Sequence, residues 1–141
     1  MAMTYEWRGA FKSREVEALH ADAFHHDVIE GFDWEKQTLD HSLGWVCARD
    51  DGELVGFVNV AWDGAAHAFI LDTMVAQNSG RRGIGTELVS LAVGQARAVG
   101  CEWLHVDFED HLRAFYFSAC GFTPTNAGLI ALKGPTVSTD P

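Results

Sequence analysis

The sequence predicts a mixed α/β chain, and three observations carry that prediction. Two short apolar runs, Trp45–Arg49 and Leu54–Trp62, flank Asp50-Asp51-Gly52 and read as an antiparallel hairpin. Asp63-Gly64 then turns the chain into a third apolar run, Ala66–Val75, which extends the hairpin into a meander. A long helical pattern and another apolar run follow, and a strand, helix, strand order is the right-handed crossover that joins parallel strands.

The elements follow in order. Val16, Leu19, His20, Ala23 and Phe24 recur at helical spacing over 14–24, with Ser13 placed to cap the helix and Glu15 and Glu17 suited to its positive end. Gly31 interrupts the pattern, and Asp33 is placed to cap a short helix through His41. After the meander, the helix from Gly83 to Val99 aligns Ile84, Leu88, Leu91, Ala92 and Val99 on one stripe and stops at Gly100. A strand over 101–108, a helix over His111–Phe122 closed by Gly121-Phe122, and a last strand over Leu129–Lys133 complete the expectation. Residues 1–133 read as one domain and 134–141 as a loose tail.

Composition narrows the function classes. Nearly half of the 141 residues are apolar, with nine Phe and five Trp, enough for a sizeable core. No apolar run approaches the roughly 20 residues that span a bilayer, and the N-terminus lacks a signal peptide's apolar stretch, so a cytoplasmic protein with no membrane partner is expected. Cys47, Cys101 and Cys120 show no C-x-x-C spacing and sit in apolar contexts, which favours buried reduced thiols over disulfides or zinc. Residues 15–40 hold eight acids against Lys36 alone, an unsuitable surface for nucleic acid. That segment is either a solvated acidic face or a field that attracts a cation. His20, His25, His26 and Asp27 have no established metal-ligand spacing, so no metal is expected.

The run from Val75 to Val89 says most about chemistry. It joins an apolar strand to a helix through Ser79-Gly80-Arg81-Arg82-Gly83-Ile84-Gly85-Thr86. Gly83 and Gly85 let a ligand approach the backbone, and the unpaired N–H groups of a helix's first turn attract anions. A Walker loop would need Gly-Lys-Ser/Thr where Gly85-Thr86-Glu87 stands, and the dinucleotide fingerprint a third glycine at Leu88. The turn instead resembles the R/Q-x-x-G-x-G/A motif of the GNAT N-acetyltransferase superfamily, although Gly80 occupies the usual Arg or Gln position. Leu104–Phe108 and His111–Phe122 look like that family's second motif, with Glu109 where an Asn is frequent. The resemblance runs from about Trp45 to Lys133.

The resemblance implies a mixed central sheet of about six to seven strands with an antiparallel meander, a splayed parallel pair and about four helices. It implies acetyl-CoA as cosubstrate, its pyrophosphate on Arg81, Arg82, Gly83, Ile84, Gly85 and Thr86, and its pantetheine arm along the backbone of Thr73, Met74 and Val75. An N–H near Met74 or Val75 would polarise the thioester oxygen. Tyr116, five residues before Gly121, falls at the family's proton donor to the CoA sulfur. An alkylamine with a pKa of about 10.4 is about one part in a thousand free base at neutral pH, so its proton must be removed. His105 falls where several members carry a catalytic Glu, and Asp107 and Asp72 are fallback bases.

The expected activity is therefore acetyl transfer to a primary amine by direct attack in a ternary complex. The acidic first third favours a small cationic acceptor over protein N-termini or lysines. A non-catalytic acyl-CoA-binding module is the competing reading, and a longer acyl group is a third, to be decided around Phe69, Met74 and Phe108. Edge strand 129–133 suits a possible homodimer.

Overall fold

A computed structural model describes residues 2–80 and 82–134. Its centre is one mixed sheet of five strands in the order β1-β2-β3-β4-β5. Strands β2 (Ser42–Asp50), β3 (Glu53–Trp62) and β4 (His67–Val75) form the expected antiparallel meander. β5 (Trp103–His105) lies parallel to β4. β1 (Met3–Trp7), antiparallel to β2, has no counterpart in the sequence-based expectation. Its half-buried Met3, Tyr5 and Trp7 alternate with exposed Thr4 and Glu6, a period-two signal too short to stand out at a chain end.

β2 and β3 are buried along nearly their whole length because helices cover both faces of the sheet. On one face α3 (Ile84–Val99) lays Ile84, Leu88, Ala92 and Ala96, each one turn apart, against Val46, Val58, Val60 and Ile70. On the other, α1 (Ser13–Phe24) and α2 (Trp34–His41) enclose Phe11, Trp45, Phe57 and Met74. Phe57 is fully buried and meets the Phe11 ring edge-on at 5.4 Å. Phe57→Ala is expected to cost about 3–5 kcal/mol of unfolding free energy, read as a lower urea midpoint with unchanged slope.

The structure amends several boundaries. Lys12, not Ser13, occupies the cap position of α1; Ser13 begins the helix and exchanges hydrogen bonds with Glu35 of α2 instead. Asp33 caps α2 as expected, accepting from the Lys36 N–H at 3.0 Å. The strand expected over 101–108 is reduced to β5, because the chain leaves β4 after His105. The helix expected over His111–Phe122 becomes a 3-10 turn, Asp110–Leu112, and a π-helical turn, Ala114–Ala119. The wider turn separates three successive aromatics: Tyr116 stacks on Phe108, while Phe117 lies between Phe108 and Arg113. Leu129–Lys133 forms no strand; Leu129, Ile130 and Leu132 are 80–95% exposed and no strand lies beside them. The sheet therefore has five strands among the described residues, below the expected six to seven. Most of the 134–141 tail and Arg81 lie outside those residues.

Candidate active site

Two departures from regular geometry shape the C-terminal half of β4. Val58 of β3 faces both Asp72 and Thr73, because the register jumps between Phe57↔Met74 and Asn59↔Leu71; this is a β-bulge. Asp72 on that bulge has φ +55°, in the left-handed region. On the other side, β5 pairs only with His67, Ala68 and Phe69, so the strands part beyond that point and the edge of β4 through Val75 has no ladder partner. This is the splayed parallel pair that the family resemblance implies. The Ala76 N–H donates to Val55 of β3, so strand alternation turns the Val75 N–H toward the open edge.

The chain next passes through a 3-10 turn, Gln77–Ser79, to the start of α3. Gly83 holds the cap position with φ +75°, which a glycine adopts without strain, and no side chain caps the helix. The first intrahelical bond is Glu87 N–H to Gly83 C=O, so Ile84, Gly85 and Thr86 have N–H groups without intrahelical partners. A Cβ at Gly83 would meet nothing within 4 Å, so the approach is open. This open, uncapped turn fits an anion such as the CoA pyrophosphate. Arg82 points elsewhere in this structure, its guanidinium 2.9 Å from Asp50. At Gly85 a Cβ would lie 3.1 Å from the Phe115 ring and 3.8 Å from Val75, so helix start, π turn and strand end converge there. Gly85→Val crowds both Phe115 and the anion approach, so with acetyl-CoA the wild type is expected to gain melting temperature and Gly85→Val to gain none.

Tyr116 reaches the same strand from the π turn. It is 5% exposed, and its phenol faces the Thr73 hydroxyl, whose Oγ1 is buried without a hydrogen-bond partner. Burial pushes the phenol above its ordinary value, and the Thr73 hydroxyl opposes that rise only in part. The group therefore stays protonated at neutral pH. Met74 turns its side chain into the α1-side core at 1% exposure, and the alternation that frees the Val75 N–H turns the Met74 backbone toward Phe57 of β3.

His105 lies at the other end of the splay. It pairs in register with Phe69, stacks on that ring at 4.7 Å, and bonds His67 at 2.7 Å between Nδ1 of His67 and its own Nε2. Phe69 precedes Thr73 by about 13 Å of strand. Thus Gly85 at the start of α3 lies beside Val75 and Phe115, and Tyr116 lies beside Thr73 with exposed Asp107 near enough to help raise its phenol, whereas His105 is held at Phe69 and His67.

Sequence reasoning named Asp72 as a fallback base and set His20 and His26 aside as metal ligands, but missed that the three meet at the bulge. Asp72 Oδ1 lies 3.9 Å from His20 Nε2, and His20 Nδ1 lies 2.6 Å from His26 Nε2. No spacing in the chain announces it, since α1, the following loop and β4 each contribute one member. Six of the eight acids in 15–40 have structural partners: Glu15 with Arg49, Glu17 with Trp34, Asp22 with Gln77, Asp33 at the α2 cap, Glu35 with Ser13, and Asp40 with Lys36. A cleft of about 430 Å³ between α1 and the loop after β4 is lined partly by Glu15, Asp22 and Glu53, a setting for cations rather than phosphates. Among the described residues, no group of three or more His, Cys, Asp and Glu side chains is placed to hold a metal ion. No helix among them is long and apolar enough to cross a membrane.

A model of the acetyltransferase (GNAT) family matches residues 2–122. None of the curated proteins matches the chain. Among similar solved structures, a GNAT-family acetyltransferase from Streptococcus pneumoniae is 22% identical, with a TM-score of 0.73 over 94% of this chain and 100% of its own. An aminoglycoside acetyltransferase from an uncultured soil metagenomic sample is 16% identical, with a TM-score of 0.75 over 94% of this chain and 96% of its own. A glucosamine-6-phosphate N-acetyltransferase from Arabidopsis thaliana is 14% identical, with a TM-score of 0.69 over 91% and 97%.

Proposed function

Because the chain belongs to the GNAT acetyltransferase family, we propose that it transfers an acetyl group from acetyl-CoA to a primary amine by direct attack in a ternary complex. The observation that carries this reading is the open edge of β4, bordered by the uncapped start of α3 and by the Tyr116 phenol.

Each end of that edge has work suited to its chemistry. The free N–H groups of Ile84, Gly85 and Thr86 hold pyrophosphate oxygens, and Arg81 and Arg82 add positive charge. Arg82 must leave Asp50 to do so. The pantetheine arm lies along Thr73, Met74 and Val75 as a neighbouring strand would, with the outward-facing Val75 backbone offering it hydrogen bonds. The Val75 N–H, fixed before the reaction, stabilises negative charge developing on the thioester oxygen. Tyr116, kept protonated by burial, supplies the proton that the leaving thiolate takes up.

The acceptor is proposed to be a small cationic amine. The α1 side of the sheet is acidic, and most of its carboxylates are bound to neutral or backbone partners that leave their charge in place. The test is thiol release from acetyl-CoA, measured against an amine-free blank, across polyamines, aminoglycosides, aromatic amines, amino acids and peptides with free N-termini. Release above the blank with a small amine supports the proposal, and release only with peptides moves the acceptor to protein. A melting-temperature rise with acetyl-CoA but no release with any amine would identify a non-catalytic acyl-CoA-binding module.

A further inference from the structure

The hydrogen-bond chain at the β4 bulge fixes where its protons sit. His26 Nδ1 lies 2.7 Å from the backbone oxygen of Asp27, which can only accept, so that nitrogen carries a hydrogen. In the neutral ring His26 Nε2 is then an acceptor, and the 2.6 Å contact requires His20 Nδ1 to donate to it. His20 Nε2 is left with a bare lone pair aimed toward Asp72 Oδ1 at 3.9 Å. Two acceptors face each other across a gap too long for a hydrogen bond and without a proton between them. One nitrogen bearing several N–H groups closes such a gap with two hydrogen bonds of about 2.9 Å.

The surroundings suit an alkylammonium. The side chains of His20 and Asp72 are both about one-quarter exposed, so the gap is reachable. Phe24 lies 4.7 Å from the His20 ring and Trp34 lies 5.4 Å from it, giving carbon a surface beside the charge. Asp72 directly precedes Thr73–Val75, the stretch along which the thioester is read to lie.

Given the acetyl transfer proposed above, we propose that the gap between His20 Nε2 and Asp72 Oδ1 seats the acceptor's ammonium and that His20 takes its proton. One N–H bond of the ammonium breaks as an Nε2–H bond forms, and the freed lone pair attacks the thioester carbon. The new C–N bond replaces the C–S bond. The second proton lost from nitrogen balances the one Tyr116 gives to sulfur, and the proton on His20 leaves to solvent. Asp72 and Glu17 are the carboxylates that face the resulting imidazolium, and His26 holds its orientation. Burial raises the Asp72 carboxyl above its ordinary value and His20 opposes that rise, as expected for a carboxylate whose cation arrives with the substrate. This assigns to His20 the role that the sequence suggested for His105.

Two measurements test the assignment. In steady-state assays with the most active amine of the panel, His20→Ala is expected to lower kcat/KM at pH 7.5 at least about 100-fold. The acetyl-CoA melting shift should stay intact, and added imidazole should restore part of the rate. His105→Ala should stay within about threefold of wild type. Comparable rates for His20→Ala and wild type across pH 6–9 would overturn the proposal, as would a loss confined to His105→Ala. The second measurement needs no turnover: 15N NMR of the wild-type imidazoles at pH 8.5, with n-butylamine as probe. An unprotonated His20 Nε2 that shifts with butylamine, and fails to shift in Asp72→Asn, is the expected result. A His20 ring protonated on Nε2 instead of Nδ1, or one unmoved by the amine, would exclude the seat even if acetyl transfer itself were established.

Discussion

Tyr116→Phe is expected to lower kcat about 100-fold while leaving the acetyl-CoA melting shift and the unfolding midpoint nearly unchanged. The substitution removes one hydroxyl and keeps the ring that stacks on Phe108 at 4.7 Å and meets Phe122 edge-on at 5.8 Å, so packing is preserved. What disappears is the only proton on that side chain that can reach a thiolate forming at the β4 edge. A hundredfold loss corresponds to about 2.7 kcal/mol of transition-state stabilisation, within the ordinary range for a positioned general acid. The pH profile carries a second signature. Burial raises the phenol, so a decline in wild-type kcat caused by Tyr116 ionisation should have its midpoint above the ordinary value of 10.0. Saturating kcat in Tyr116→Phe equal to wild type would leave the residue a packing aromatic.

The parts of this fold legible in the sequence are those built from local signals. Asp50-Asp51-Gly52 and Asp63-Gly64 mark the meander turns, the Ile84–Leu88–Ala92 stripe marks α3, and the two glycines at its start mark its open, uncapped N-terminus. Tyr116 can be picked from the sequence because the family resemblance sets its proton donor five residues before Gly121, although the backbone there is a π turn rather than a regular helix. The rest depends on contacts between distant segments. β1 exists because β2 offers a ladder, and its five residues carry too little pattern to declare it. The run at Leu129–Lys133 is apolar enough to read as a strand, yet apolar composition gives no strand without a neighbour. The same limit explains the base. His105 could be picked from alternation along one strand, whereas the His20–Asp72 gap needs the α1 helix and the β4 bulge to meet across 52 positions of chain.

That meeting depends on Glu17, and Glu17→Ala is expected to lower unfolding free energy by about 3 kcal/mol in urea titrations at pH 7. Glu17 is 5% exposed, and each carboxylate oxygen accepts one hydrogen bond: Oε2 from the Ile29 N–H at 2.9 Å, Oε1 from the Trp34 indole N–H at 3.0 Å. It thereby ties the loop after α1, which includes His26, and the first residue of α2 to α1. Alanine would leave two donors without partners, and glutamine would still turn an N–H toward one of them. Burial alone would raise this carboxyl. The bonds from Ile29 and Trp34, with the nearby His20 and His26, more than offset it and hold the group below the 4.5 of an ordinary glutamate. A lowered folded-state value means that the unfolded chain binds the proton more readily, so the stabilisation is complete above about pH 5 and fades as pH falls through the folded-state value. The gap in unfolding free energy between wild type and Glu17→Ala should accordingly narrow between pH 5 and pH 3. A gap independent of pH over that interval would show that Glu17 acts through shape rather than charge, leaving the His20 and Asp27 hydrogen bonds to hold His26.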